Sequence, residues 1–273
     1  MLFATAKDAL NWYQSEDRVI NKSFLDSVPW KDVTLHEIDK KFLPVLLYMR
    51  DIETMTEVYF EELMKSPTGK DPVIREFMER WVTEEPVHGE LLNRFMEEAG
   101  FNPDADWKAK GFALIPVSYT KRSKLNQLIA MPFGKRFAAV HMTWGAINEY
   151  STLTGYRRLW ELADHPVLTY LLKAIAREEA RHSLFYWSVA RIHLAESRFS
   201  QVLSRNIIDR FWTPVGQGIK TEADSNLVIR TLFAGEGGVD TMKKFVNDRV
   251  AQLPGFENLT RVTDRITQAS MTV

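Results

Sequence analysis

The chain carries one short pattern twice, Glu-Glu-x-x-His, at residues 84–88 (EEPVH) and at residues 178–182 (EEARH). Residues three positions apart lie on one face of an α-helix, so the second Glu and the His of each pattern can bind one common ion. The repeat therefore predicts two helices with the same pair of candidate ligands. Glu is also common on solvated helix faces, an interpretation open for Glu61, Glu62, Glu84 and Glu178.

The residues around the two patterns predict two long helical hairpins. The second helix has Asp71 as its N-cap and Pro72 in its first position, and it ends before Gly100. The turn Asp164-His165-Pro166 separates the third helix from the fourth. The helices are expected over residues 42–64, from 72 to before 100, over about 136–163, and from the second turn to about 195.

Two antiparallel hairpins without strand-like alternation predict an all-α protein with a four-helix bundle at its centre. Further helices are expected around residues 200–216 and 225–252, outside the bundle. We expect a single domain over residues 1–273, made of a wrapping N-terminal segment (1–40), the four-helix core (41–195) and additional helices (196–273).

Each hairpin also places a Glu of its other helix level with the pattern. Glu53 stands about 12 residues before the first turn, and Glu85 stands 14 residues after it. At a rise of 1.5 Å per residue these spans are roughly 18 and 21 Å, so the two side chains lie at about the same depth. The same reasoning pairs Glu149 with Glu179 in the second hairpin.

This arrangement predicts a site for two metal ions. One Glu from each of two helices, with Glu-x-x-His from each of the other two, is a ligand set that bundle cores use for paired iron or manganese. Two divalent cations would balance four carboxylates that are otherwise costly to bury. The rival hypothesis is a metal-free structural bundle, in which replacing Glu85 or Glu179 by Ala has little effect or stabilises the fold.

Composition limits the other functions. The chain has no cysteine, which excludes disulfides, thiolate nucleophiles and iron–sulfur clusters bound by its own thiolates. Its formal net charge is −1 with interspersed charges, so no nucleic-acid partner is expected. No glycine-rich phosphate motif, no long apolar run and no secretory signal occurs in the sequence, so we expect no membrane span and a cytoplasmic location.

Longer motifs surround both patterns. The first fits W-x-x-E-E-x-x-H-G-[DE]-L-L-N-[KR] over residues 81–94, and the second fits A-x-[DE]-E-x-R-H-x-x-x-Y over residues 176–186. Glu149 and Thr152 form E-x-x-T between them. Over roughly residues 40–200 the sequence resembles the acyl-carrier-protein desaturases, which are ferritin-like di-iron proteins.

The resemblance implies a ferritin-like fold with two iron ions as the cofactor, and a manganese–iron pair would suit the same ligand types. Thr152 matches the family's hydroxyl beside the oxygen-binding side of the metals, where its expected role is proton delivery or a hydrogen bond to a bound peroxo group. A Thr that fills a small core position is the alternative. The implied metal ligands are Glu53, Glu85, His88, Glu149, Glu179 and His182.

The implied function is an O2-dependent oxidoreductase that desaturates a fatty acyl chain on acyl-carrier protein or coenzyme A. A separate electron donor, a ferredoxin or flavoprotein, must dock, and a homodimer is expected. Hydroxylation, N-oxygenation and oxidative C–C cleavage are alternative reactions, and an iron-storage shell is the alternative from another class. A ribonucleotide reductase subunit is disfavoured, because Leu92 stands where that family has its radical Tyr.

Several positions depart from the family or allow two interpretations. Pro86 is expected to kink its helix or to lie at a widened turn. Val87 stands where the family has an Arg, which the second motif keeps as Arg181. Gly145, one turn before Glu149, either leaves room beside the metals or allows close helix packing. Possible channel-lining residues are Met55, Met142 and Tyr156, and the histidines expected at the surface or in ordinary packing are His36, His141, His165 and His193.

Overall fold

The computed structural model describes residues 2–117, 119 and 131–271. Its regular secondary structure there is helical, apart from an isolated bridge between Gln217 and Lys220. The predicted all-α class is therefore confirmed. The connection expected from Phe101 to about Lys124 lies partly outside the described residues. None of the described helices is long and apolar enough to cross a membrane.

The two predicted hairpins require four long helices. The structure contains three, of 27, 27 and 30 residues, and the fourth is divided into two shorter helices. In chain order the α-helices are α1 (Ala6–Ser15), α2 (Lys22–Ser27), α3 (Leu43–Thr54), α4 (Thr56–Lys65), α5 (Pro72–Glu98), α6 (Trp107–Ala113), α7 (Phe137–Ala163), α8 (Pro166–Ala195), α9 (Arg198–Phe211), α10 (Glu222–Phe233), α11 (Gly238–Met242), α12 (Asp248–Val250) and α13 (Arg261–Met271). Short 3-10 segments cover Trp30–Leu35, Lys40–Phe42, Thr68–Lys70 and Met131–Arg136, and a π-helical turn covers Lys243–Asn247.

The boundaries of α5 are those that its end residues predict. The side chain of Asp71 accepts hydrogen bonds from the backbone N–H groups of Val73 (2.9 Å) and Ile74 (3.2 Å). These bonds satisfy two of the donors that a helix N-terminus leaves free. The helix ends at Glu98, ahead of Gly100, whose φ of 79° lies in the left-handed region.

The single helix predicted before the first turn is wrong, because two helices, α3 and α4, meet at Met55. The hydroxyl of Thr54 donates to the carbonyl of Arg50 (3.1 Å), and the hydroxyl of Thr56 donates to the carbonyl of Glu53 (2.7 Å). Side chains that bond nearby carbonyls compete with regular helical bonding. The break leaves Glu53 in the last turn of α3.

The expected widened turn at Pro86 is absent from α5, which is α-helical at every residue from Pro72 to Glu98. Proline has no N–H to donate, so one hydrogen bond of the helix is lost at this position. The loss does not end the helix, and Glu85 and His88 stay on one continuous helical face on either side of the proline.

Two glycines allow the helices of each hairpin to approach closely. A Cβ on Gly89 of α5 would lie 2.8 Å from the carbonyl oxygen of Arg50 in α3. A Cβ on Gly145 of α7 would lie 2.3 Å from the ring of Tyr186 in α8. Real Cβ atoms essentially never make contacts this short, so a side chain at either position would force its neighbour to move. The contact supports close helix packing as the interpretation of Gly145, and Gly145 also lines the cavity beside the candidate ligands that is described below.

The segments outside the hairpins cover them on different sides. α1 and the 3-10 segment Trp30–Leu35 pack against α5 and α8. α9 packs against α7 and α8, whereas α10 packs against α3 and α7. α13 packs against α10 and α11. No helix was predicted from the sequence in this last segment.

Candidate metal centre

The six side chains predicted to bind metal lie together in the interior. They form two groups of four whose potential ligand atoms all lie within 4.8 Å of one another. One group is Glu53, Glu85, His88 and Glu179, and the other is Glu85, Glu149, Glu179 and His182. Glu85 and Glu179 belong to both groups. Each group could hold one metal ion, with these two carboxylates shared between the ions.

Four elements bring these residues together. Glu53 comes from the last turn of α3 and Glu149 from the middle of α7, while α5 and α8 each supply a Glu and a His. Nδ1 of His88 lies 3.0 Å from Glu179 and 3.7 Å from Glu53. Nδ1 of His182 lies 2.9 Å from Glu85 and 3.7 Å from Glu149. Each His therefore faces carboxylates of both hairpins.

Within the described residues, several of these inward-facing atoms make no hydrogen bond of acceptable geometry, although two His–carboxylate pairs lie only 2.9–3.0 Å apart. The atoms are Nδ1 of His88 and His182, one oxygen of Glu85 and both oxygens of Glu179. Burying such groups without a partner is costly, so native structures seldom leave them in this way. Carboxylate oxygens and imidazole nitrogens are suitable ligands for divalent iron, manganese or zinc. The donor set therefore fits the two metal ions that the sequence predicts.

The protein groups of the centre also shift one another's pKa values. Burial raises the pKa of Glu85 well above its usual value, and the charges of Glu179 and Glu53 raise it further. Burial and the charges of Glu179 and Glu85 have the same effect on the pKa of Glu149. Burial alone would lower the pKa of His182, but Glu179 and Glu84 overcome this effect and raise it to about 9. Without cations, the site would therefore hold extra protons.

The first Glu of each pattern is not solvated, contrary to the interpretation that the sequence left open. Glu84 and Glu178 are both 0 % exposed. An oxygen of Glu84 lies 2.7 Å from Nε2 of His182, and an oxygen of Glu178 lies 3.0 Å from Nε2 of His88. Each carboxylate thus pairs with the His of the other pattern. A carboxylate behind a His in this way fixes the ring and directs its other nitrogen to a metal.

The N-terminal segment completes this outer layer. The hydroxyl of Tyr13 donates to Glu84 (2.7 Å), and the backbone N–H of Ile20 donates to Glu178 (2.9 Å). Arg80 of α5 donates to Glu84 through Nε (2.8 Å). Only a wrapping role was predicted for residues 1–40, because nothing in the sequence indicates which distant carboxylate Tyr13 of α1 or the backbone of Ile20 would contact.

A further contact that the sequence did not predict involves Tyr156. Its hydroxyl donates to a carboxylate oxygen of Glu53, and the ring is fully buried. Tyr156 was expected as a possible channel-lining residue, but it does not line either cavity described below. It instead orients one of the six candidate ligands.

A cavity of about 160 Å³ opens beside the carboxylates. Four candidate ligands line it, and so do Thr152, Gly145 and Met55. Thr152 lies one helical turn after Glu149 and lines the cavity beside the candidate ligands. The four ligands are Glu53, Glu85, Glu149 and Glu179.

A second cavity of about 80 Å³ adjoins the first. Its walls are mainly apolar and come from α3, α7, α10 and α13. Glu53, Thr152 and Ile52 line both cavities, so the apolar space begins beside the candidate ligands. Met142, another expected lining residue, is buried in the hydrophobic core and lines neither cavity.

The other four histidines lie outside the cluster, as predicted. His141 contacts the hydroxyl of Thr68 (2.7 Å), and His193 lies 3.6 Å from Glu196. Nδ1 of His165 accepts the N–H of Leu168 (3.2 Å) at the start of α8, and its ring packs beside His36. These contacts are ordinary capping, packing and surface roles.

No protein-family model matches the chain, and no curated protein matches it either. The resemblance to the desaturases therefore stays a prediction made from motifs. A function for this chain has to be inferred from the residues and the geometry of the centre.

Proposed function

We propose that the chain binds two iron ions and is an O2-dependent oxidoreductase with a ferritin-like fold. The observation that carries the proposal is the pair of four-residue groups that share Glu85 and Glu179. Glu53, Glu85, His88 and Glu179 would hold one ion, and Glu85, Glu149, Glu179 and His182 the other. When bound, the pair of ions supplies dioxygen activation and the oxidising power to remove hydrogen from an unactivated C–H bond.

The surrounding side chains have separate tasks in this proposal. Glu84 and Glu178 hold the two His rings so that each Nδ1 faces the ions. The apolar walls of the adjoining cavity exclude water and bind hydrocarbon by burial. Thr152 stands between the carboxylates and the apolar space, so its hydroxyl can hold or move a proton at the point where the substrate would meet the ions.

The substrate that we propose is a fatty acyl chain on acyl-carrier protein or coenzyme A, which loses two hydrogen atoms to form a double bond. Support comes from the mainly apolar cavity beside the ligands and from the motif resemblance. Electrons must come from a separate ferredoxin or flavoprotein, because the chain contains no cysteine for a cluster of its own. Hydroxylation, N-oxygenation and oxidative C–C cleavage are alternative reactions of the same centre.

The first experiment measures metal per chain after anaerobic loading with ferrous iron and desalting. We expect two irons per chain in the wild type and strong loss in Glu179→Ala, because Glu179 belongs to both groups. Glu61→Ala is the matched control, since Glu61 is an exposed helical Glu that pairs with Lys65 one turn later. A wild type without metal would contradict the proposal.

The second experiment identifies the reaction. The iron-loaded protein is incubated aerobically with a reductant, a reductase and a panel of acyl-carrier-protein substrates, and the products are analysed by mass spectrometry. Loss of two hydrogens supports desaturation, whereas gain of one oxygen supports the hydroxylase alternative. An unchanged panel, with iron bound, would contradict the acyl substrate.

A further inference from the structure

One arginine of the N-terminal segment lies between the two outer carboxylates. Nε of Arg18 is 3.8 Å from an oxygen of Glu84, and Nη2 is 3.7 Å from an oxygen of Glu178. Both nitrogens are buried, and neither makes a hydrogen bond within the described part of the chain. Arg18 therefore places one positive charge against two carboxylates that belong to different helices and to different halves of the centre.

The two carboxylates otherwise receive different arginines. Within the second pattern, Arg181 lies 3.3 Å from Glu178, three residues earlier on the same helix. In the first pattern the equivalent position is Val87, which has no charge to offer Glu84. Arg80, one turn before Glu84, contacts it instead at 2.8 Å. Each half thus has its own arginine, and Arg18 is shared by both.

The connection to the metal ligands runs through the histidines. Glu84 contacts Nε2 of His182, and Glu178 contacts Nε2 of His88. A carboxylate held in place behind a His fixes the ring, so that Nδ1 keeps its direction toward the ion. Tyr13 and Arg80 also hold Glu84, and Ile20 and Arg181 also hold Glu178. Loss of one counter-charge would therefore loosen each carboxylate and its His rather than release them.

We propose that Arg18 is a positioning residue for both metal positions, which it links by holding Glu84 and Glu178 at once. The inference rests on the proposed metal centre and adds to it a residue that lies outside both hairpins. Because Arg18 acts through the outer carboxylates, its loss lowers the affinity for both ions. Loss of one outer carboxylate lowers the affinity only for the ion that its His binds.

The test is a titration with Co²⁺, followed by visible absorption in competition with a chelator, which gives two apparent dissociation constants. We expect Arg18→Gln to bind both ions about tenfold more weakly, at the lower end of the range for residues behind metal ligands. Glu178→Gln is expected to weaken binding only of the ion that His88 would hold. Arg75→Gln is the control, because Arg75 is a half-exposed arginine of α5.

The direction of the change in Co²⁺ affinity distinguishes a positioning role of Arg18 from a purely electrostatic one. Removing a cation near the centre would by itself favour the binding of Co²⁺, so weaker binding reports the lost positioning. Unchanged or tighter binding in Arg18→Gln, or weakening of one ion only, would overturn the inference. Arg18→Lys keeps the charge but has a single side-chain nitrogen in place of the Nε and Nη2 that lie beside the two carboxylates. Arg18→Lys is therefore also expected to bind both Co²⁺ ions more weakly. Wild-type affinity in this variant would overturn the inference.

The same titration separates this inference from the proposed function. A wild type that binds no Co²⁺ overturns both. A wild type that binds two ions, beside an Arg18→Gln variant that binds them equally well, overturns the role of Arg18 alone. Circular dichroism establishes that each variant keeps its helices, and Arg18→Lys is the variant to use if Arg18→Gln does not fold.

Discussion

The two central histidines each use their ring nitrogens for different purposes. Nε2 of His88 and of His182 contacts an outer carboxylate, whereas Nδ1 of each faces the candidate ligand groups. Only a ring without a proton on Nδ1 can bind a metal through that atom, so a doubly protonated His88 or His182 must lose its Nδ1 proton when an ion binds. The same is true of any proton on Glu85 or Glu149, whose pKa values burial raises.

Metal affinity is therefore expected to rise with pH. The pKa of His182 is about 9, so this group binds a proton at neutral pH that an ion must displace. Affinity for Mn²⁺, measured by chelator competition, should increase from about pH 6 until the pKa of His182 is passed, and binding should release protons to a weakly buffered solution. A flat affinity profile with no proton release would contradict this prediction.

Thr152 has a separate expected effect at the reaction step. We expect Thr152→Val to lower turnover by about 10²-fold, because a positioned proton donor contributes at least that much, with iron content unchanged. Thr152→Ser should keep most of the activity. Thr154→Val is the matched control, because the hydroxyl of Thr154 donates only to the carbonyl of Tyr150 in its own helix (2.6 Å). Equal turnover in Thr152→Val and the wild type would favour the core-filling interpretation.

At the scale of elements, the ends of the helices follow from local chemistry and the break in the first rod does not. Asp71 and Asp164 mark boundaries that the sequence predicts, and Asp164 has a φ of 46°, in the left-handed region. The break at Met55 is hidden in the sequence, because the apolar spacing continues through it. The two Thr hydroxyls beside it do not predict a break either, because Thr143 and Thr154 make the same kind of bond to a carbonyl inside the unbroken α7.

The packing of α7 on α8 depends on Gly145. We expect Gly145→Ala to lower the free energy of unfolding by about 1–3 kcal/mol, because the new Cβ would lie 2.3 Å from the ring of Tyr186. Gly235→Ala is the control, since a Cβ there would meet nothing within 4 Å and no left-handed φ is involved. Chemical denaturation measures both. Equal stability of the two variants would show that Tyr186 moves aside without cost.

At the scale of the whole molecule, the centre couples metal binding to stability. Four candidate carboxylate ligands lie in the interior, and their mutual repulsion opposes folding unless protons or cations neutralise it. A ligand at about 100 times its dissociation constant stabilises the folded state by about 2.7 kcal/mol. Metal-loaded protein should therefore melt at a higher temperature than metal-free protein.

Glu85→Gln should remove most of the stabilisation that metal binding gives the folded state. Without metal, the variant is expected to be as stable as the wild type or more stable, because the neutral amide avoids both the repulsion and the burial cost that raise the pKa of Glu85. With ferrous iron under anaerobic conditions, the stabilisation should be largely lost. Calorimetry with and without iron measures both effects, with Glu61→Gln as the exposed control. Metal-dependent stabilisation of equal size in Glu85→Gln and the wild type would contradict a shared role for Glu85.

The oligomeric state is predicted from the sequence alone. A homodimer of the 31.6 kDa chain is expected for the enzyme. Iron storage would require a large shell, in which a subunit count near 24 is typical of ferritins. Light scattering behind a sizing column distinguishes the two, and a large shell would favour storage over the oxidoreductase.

The sequence alone predicts the helical class, the ends of the three longest helices and the six residues of the centre. Periodicity, capping residues and the i, i+3 spacing of Glu and His are local properties, so they can be identified without knowing which residues lie nearby in space. The burial of Glu84 and Glu178, the pairing of each with the His of the other pattern and the position of Arg18 between them became visible in the folded structure. Those facts depend on contacts between residues up to 160 positions apart, such as Arg18 and Glu178, and no local pattern encodes which distant side chain fills a given space.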